Sequence, residues 1–114
     1  MSFVSFEDIK AWQKAKGVTL EIYNLLDDSK DFGYKNQIQR CAVSTMNNIA
    51  EGFERKSDKD FRRFLYIAKG SCGELRSMLT LGKDLGYFSK QEFENLYQDS
   101  VEISRMLSGL IKQL

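Results

Sequence analysis

Apolar residues recur along this chain at steps of three and four, the spacing that gathers side chains on one side of an α-helix. Ile9, Trp12, Ala15, Thr19, Ile22 and Leu26 make the first such run. Ser5 with Asp8 three residues on forms an approximate capping box, so a first helix is predicted from near Phe6 to the Asp27-Asp28-Ser29 stop. Tyr34, Ile38, Cys41, Ala42, Thr45, Ile49 and Phe53 give a second helix, starting around Tyr34 and ending near Glu54 to Lys56. Ser57 as a hydroxyl N-cap and Asp60 as an acidic N3 residue open a third, whose seam is Phe61, Leu65, Ala68, Cys72, Leu75, Leu79 and Gly82. Gly86 is placed to end it in a left-handed cap, and Ser89 with Glu92 forms a capping box for a fourth. That helix carries Phe93, Leu96, Tyr97, Ile103, Leu107, Leu110 and Leu114. Four long helices joined by short connections predict an all-α, antiparallel up-down-up-down four-helix bundle, a single domain over residues 1–114.

The third helix carries more apolar surface than one neighbour needs. Phe64, Ile67, Ser71, Met78, Leu81 and Leu85 form a second stripe beside the seam, and together the two cover an arc of about 200°, against something over 100° for a helix packed on one side. A bundle helix has two neighbours, which widens its stripe; a second subunit is the sharper explanation, so self-association is expected. Glu74 falls on the same stripe and is expected to be buried or interfacial, paired with an Arg or Asn of a neighbouring helix.

Charge is uneven along the chain. Residues 35–76 hold nine basic and five acidic groups, although the whole protein is at +1. Arg62, Lys69, Arg76 and Lys83 repeat every seven residues, a slowly drifting line along one helix, with Tyr66, Gly70, Gly73 and Ser77 beside it. Small residues admit a closely approaching surface, and a tyrosine offers a face for base stacking. Arg55, Lys56, Lys59, Arg62, Arg63, Lys69 and Arg76 are therefore the candidate contacts to RNA or DNA. The bland alternative is a solvated helix face, balanced locally by Glu54, Asp58 and Asp60.

Other chemistry finds no support. The chain has no histidine, which removes Ser-His and Cys-His catalysis, the Glu-x-x-His di-iron motif and His-bearing zinc sites. No phosphate-binding G-x-x-x-x-G-K-[ST] loop is present. No catalytic residue, metal site or cofactor is expected, and Glu74 is the one acid with any case for a role of that kind. Cys41 and Cys72 lie within apolar patterns and read as small buried hydrophobes, both reduced. The lack of a long uncharged apolar run, and Glu7 and Asp8 near the N-terminus, point to a cytoplasmic protein with no membrane partner.

Several linked runs resemble a known family. Phe6-Glu7-Asp8-Ile9-Lys10-Ala11-Trp12-Gln13-Lys14-Ala15, Gln37-Ile38-Gln39-Arg40-Cys41-Ala42-Val43-Ser44, Asn48-Ile49-Ala50-Glu51-Gly52-Phe53, Phe64-Leu65-Tyr66-Ile67-Ala68-Lys69-Gly70-Ser71 and Asp84-Leu85-Gly86-Tyr87 are similar to the four-helix-bundle proteins encoded within intervening sequences of bacterial 23S ribosomal RNA genes. The resemblance implies an antiparallel bundle, assembly into a homopentamer and no established catalytic activity. A related branch comprises accessory proteins of diversity-generating retroelements, which engage a reverse transcriptase and nucleic acid. The expectation is a non-enzymatic, homo-oligomeric adaptor associated with RNA or a ribonucleoprotein. Its rival is a scaffold that binds another protein, a reverse transcriptase or some other polypeptide, and has no nucleic-acid role.

Overall fold

The computed structural model describes residues 3–114. A 3₁₀ turn at Phe6–Asp8 leads into α1 (Lys10–Leu25), α2 (Phe32–Phe53), α3 (Asp58–Asp84) and α4 (Lys90–Gln113). The contacts between helices fit an antiparallel run. Phe3, ahead of α1, stacks edge-on against Phe53 at the end of α2. Tyr34, in the first turn of α2, donates its hydroxyl proton to the Met78 carbonyl late in α3, 2.6 Å away. Lys83 at the end of α3 lies 4.9 Å over the Phe93 ring at the start of α4. Lys14 of α1 meets Asp99 and Glu102 of α4. The bundle is 42 Å long and about half that across, as expected from α3, whose 27 residues at 1.5 Å each span about 40 Å.

The first helix begins later than the sequence predicts. The Asp8 carboxylate accepts from the N–H groups of Val4 and Ser5 at 3.0 and 3.1 Å, so this pair closes the 3₁₀ turn and does not open the α-helix. Ile9 then takes an extended conformation (φ −78°, ψ 118°) that drives its side chain into the core, and α1 starts at Lys10. Asp31 caps α2 through the N–H of Tyr34, which lets Phe32 and Gly33 into the first turn. The other punctuation forms where predicted. Ser57 Oγ accepts from the Asp60 N–H, and Ser89 and Glu92 exchange side-chain bonds reciprocally. Gly86, at φ 79°, donates to the Lys83 carbonyl while Tyr87 donates to that of Gly82, the two bonds of a Schellman motif.

All seven seam residues of α3 are buried. They face Ile38 and Ile49 of α2 and Leu96, Ile103 and Leu107 of α4 in one continuous core. On α4, Tyr97 is more exposed than its place in the predicted stripe implies, while Ser100 and Ile111 are buried. Ser100 tolerates burial because its hydroxyl donates to the Tyr97 carbonyl at 2.7 Å, and its small size admits Cys72, whose thiol donates to the Ser100 carbonyl. Cys41 and Cys72 are both buried thiols with pKa values raised by desolvation, which makes them poor nucleophiles.

The second stripe of α3 is only half covered. Phe64 and Ser71 are buried, but Ile67, Leu81 and Leu85 are 42%, 46% and 49% exposed. Glu74 is exposed as well, which corrects the first of its two expected places: it is not buried within the bundle, and the interfacial alternative belongs to a second subunit. Among the described residues, no helix is long and apolar enough to cross a membrane, and no group of metal-ligating side chains is assembled.

Candidate nucleic-acid interface

The close approach of α3 and α4 at Cys72 and Ser100 leaves a groove above their contact, on the outer surface of the bundle. Lys69 and Arg76 form one wall; Val101, Ser104, Arg105, Ser108, Gly109 and Lys112 form the other, in a volume of about 560 Å³. The α4 positions advance by three and four, so they are one helical face, and Lys69 and Arg76 are two turns apart on α3. A smaller continuation at one end is lined by Tyr66, Lys69, Ser108, Ile111 and Lys112. Four cations thus converge on a trough whose remaining lining is mostly small.

The charged lining of the groove is of one sign. No acidic side chain lines it, and among the described residues none of its four cations makes an ion pair. Glu102, one turn before Arg105, is engaged elsewhere. Its carboxylate holds Lys14 at 2.8 Å, and that bond is the largest cause of its lowered pKa, with Arg105 contributing least. Asp99 meets the same Lys14 at 3.3 Å. The acids of α4 nearest the groove are therefore turned toward α1. Arg76, which lines the groove, lies back along its own helix with one guanidinium nitrogen 3.8 Å from Cys72 Sγ.

The seven candidates predicted from sequence do not form one site. Lys69 and Arg76 stand in the groove. Arg55 and Arg63 sit 4.7 and 4.6 Å over the Phe64 ring, and Arg55 also pairs with Glu51 at 2.8 Å, so both are partly occupied at the α2–α3 corner. Lys56 lines a cleft at that end of the bundle with Phe53, Ser57 and Asp58. Lys59 is exposed in the first turn of α3, and Arg62 is half-buried outside the groove. Lys83, the last of the seven-residue series, is taken up by Phe93.

Arg105 and Lys112 are the residues that the sequence reading missed. They carry the same seven-residue repeat as Lys69 and Arg76, on the helix packed against them. Their stretch, residues 77–114, holds four basic and five acidic groups, so a net-charge count hides them. Repeats of like charge on two sequence-adjacent helices are the signal that finds such a groove.

The profile of the family described as 23S rRNA-intervening sequence protein matches residues 7–109. A protein of unknown function from the S23 ribosomal protein family of Bacteroides thetaiotaomicron VPI-5482 has a similar solved structure, with a TM-score of 0.83 and 29% identity over 90% of this chain and 95% of that one. A segment of the cysteine–tRNA ligase of Mycoplasmopsis pulmonis (strain UAB CTIP) is 22% identical over 101 residues, 88% of this chain; the chain spans 17% of the ligase. With residues 7–109 matched by the family's profile, the chain belongs to the 23S rRNA-intervening sequence protein family.

Proposed function

We propose that this protein is a cytoplasmic, non-enzymatic, homo-oligomeric bundle that associates with RNA or a ribonucleoprotein by holding the phosphate backbone. The observation that carries the reading is the α3–α4 groove, where Lys69, Arg76, Arg105 and Lys112 converge with no acid among the lining residues. Four cations that make no ion pair among the described residues, set on a concave surface, raise the local potential above what the +1 net charge suggests, and they attract a polyanion. RNA is favoured among polyanions because the family's description refers to 23S rRNA and the similar ligase is named for a tRNA. Oligomerisation is supported by the uncovered stripe of Ile67, Leu81 and Leu85, and five subunits is the number that the family resemblance implies. Repeating the groove around an assembly raises avidity wherever one strand reaches two copies.

The same exposed stripe favours the second reading, a scaffold for another protein such as a reverse transcriptase. Titration of fluorescent RNA against the protein over a range of salt separates the two. Counterion release predicts an affinity falling with salt at a log–log slope of about −0.7 per phosphate contact on a single strand, so a slope of roughly −2 to −3 is expected. Absence of binding at low salt sinks the nucleic-acid reading and leaves the protein partner.

A further inference from the structure

We infer that the α3–α4 groove takes unpaired nucleic acid, an extended single strand with one base stacked on Tyr66, in preference to a double helix; this rests on the phosphate-binding reading above. Three observations carry it. First, the trough lies between two adjacent packed helices, whose axes are about 8 to 10 Å apart. A duplex is wider than that and reaches only the rims, whereas a single backbone can descend between the walls. Second, the charges stand on both walls, Lys69 and Arg76 facing Arg105 and Lys112, each pair spread over about 10 Å of helix. Such a layout surrounds one line of phosphates and does not match the two separated lines of a duplex.

Third, the groove ends at an aromatic ring. Tyr66 is 59% exposed, shares the terminal pocket with Lys69 and Lys112, and forms no ring–ring pair among the described residues. A large apolar ring left open to water beside two cations suits a base whose phosphate those cations hold. The floor is kept low by Ser104 and Ser108, and Gly109 stands exposed at the rim, where it also borders a pocket facing α1. Nothing lies within 4 Å of where a Cβ on Gly109 would stand, so packing within the bundle does not demand that glycine.

The test is anisotropy titration of the full chain, in its native assembly, with a labelled twelve-nucleotide oligouridine and with a twelve-base-pair RNA duplex at the same salt. The single strand is expected to bind about tenfold tighter. Tyr66→Ala is expected to weaken the single strand about tenfold, the loss of one stacked base, and to leave the duplex unchanged, while Tyr66→Phe keeps the affinity. Ser108→Leu fills the trough without altering charge and is expected to weaken the single strand too. Thermal melts of each variant establish that the bundle is intact. Equal or tighter duplex binding, or unchanged single-strand affinity in Tyr66→Ala, overturns the inference while leaving phosphate binding standing. Polyglutamate competing as well as oligouridine at equal charge also overturns it, since the groove then reads charge alone. No binding of either nucleic acid removes the phosphate-binding reading itself, and this inference with it.

Discussion

The Tyr34 hydroxyl occupies the space that a side chain at residue 82 would need. A Cβ placed on Gly82 collides with Tyr34 Oη and falls 2.7 Å from Phe88 Cε2. The tyrosine is anchored there by its bond to the Met78 carbonyl, so α2 crosses α3 at a point that only glycine permits. Elsewhere in a helix, alanine is favoured over glycine by about 1 kcal/mol. Here Gly82→Ala is expected to lose about 1 to 3 kcal/mol, because overpacking against a held ring outweighs propensity. Tyr34→Phe alone should cost about 1 kcal/mol, and the double variant less than the two losses added, since the nearest of the three crowding atoms is gone. Urea unfolding of the four proteins measures this; a stabilised Gly82→Ala contradicts the packing described.

Glu21 gives a pH signature. Burial, followed by repulsion from Asp99 and Glu92, raises its pKa. A carboxyl whose folded pKa lies above its unfolded one favours folding when protonated, and that contribution is lost as pH rises through the folded value. At pH 7 the charged form opposes folding, so Glu21→Gln is expected to stabilise the protein there, with the gain shrinking as acid protonates the carboxyl. Glu102, lowered by its bond to Lys14, has the opposite sign: Glu102→Gln should destabilise at pH 7 and cease to matter in acid. Melting temperatures of both variants between pH 4 and 7 reveal whether the two trends diverge.

Self-association should run through the half-covered stripe of α3. Leu81 and Leu85 are each nearly half exposed, so Leu81→Asp with Leu85→Asp leaves the core filled while placing charge on the surface available to a second copy. Sedimentation equilibrium at micromolar concentration is expected to give an oligomer near five subunits for the wild type and the 13.2 kDa monomer for the variant, with unchanged helicity. A wild-type monomer contradicts the oligomer outright.

Much of this architecture is legible in the residues. The α3 seam from Phe61 to Gly82, the Ser57 and Ser89 caps and the Gly86 stop are all local signals, fixed by a 3.6-residue period or by one side chain meeting the next turn. What could not be read depends on a second segment. The Ser5–Asp8 pair carries a helix-start pattern, yet whether it opens an α-helix or closes a separate turn is decided by Ile9 finding room in the core. On α4 the predicted Leu96, Ile103 and Leu107 are buried, whereas Tyr97 is exposed and Ser100 takes an inner place, because a serine is buried only where a partner such as Cys72 crowds it. The groove is the clearest case. Lys69 and Arg76 are visible as a repeat, but their meaning comes from Arg105 and Lys112 on the antiparallel neighbour, and from Glu102 and Asp99 being drawn to Lys14. Arg55 and Arg63 look equally available in sequence, and Phe64 and Glu51 engage them only in three dimensions.

The groove assignment is most directly tested by setting two charge-depleted proteins side by side against one RNA over the same range of salt concentrations. One carries Lys69, Arg76, Arg105 and Lys112 as Gln; the other carries Arg55, Lys56 and Lys59 as Gln. The groove protein is expected to lose affinity by at least tenfold and to show a salt slope smaller by about 2, while the corner protein stays within about threefold of the wild type. If both remain folded and oligomeric, and the corner protein loses binding while the groove protein keeps it, the α3–α4 groove is not where this protein holds RNA.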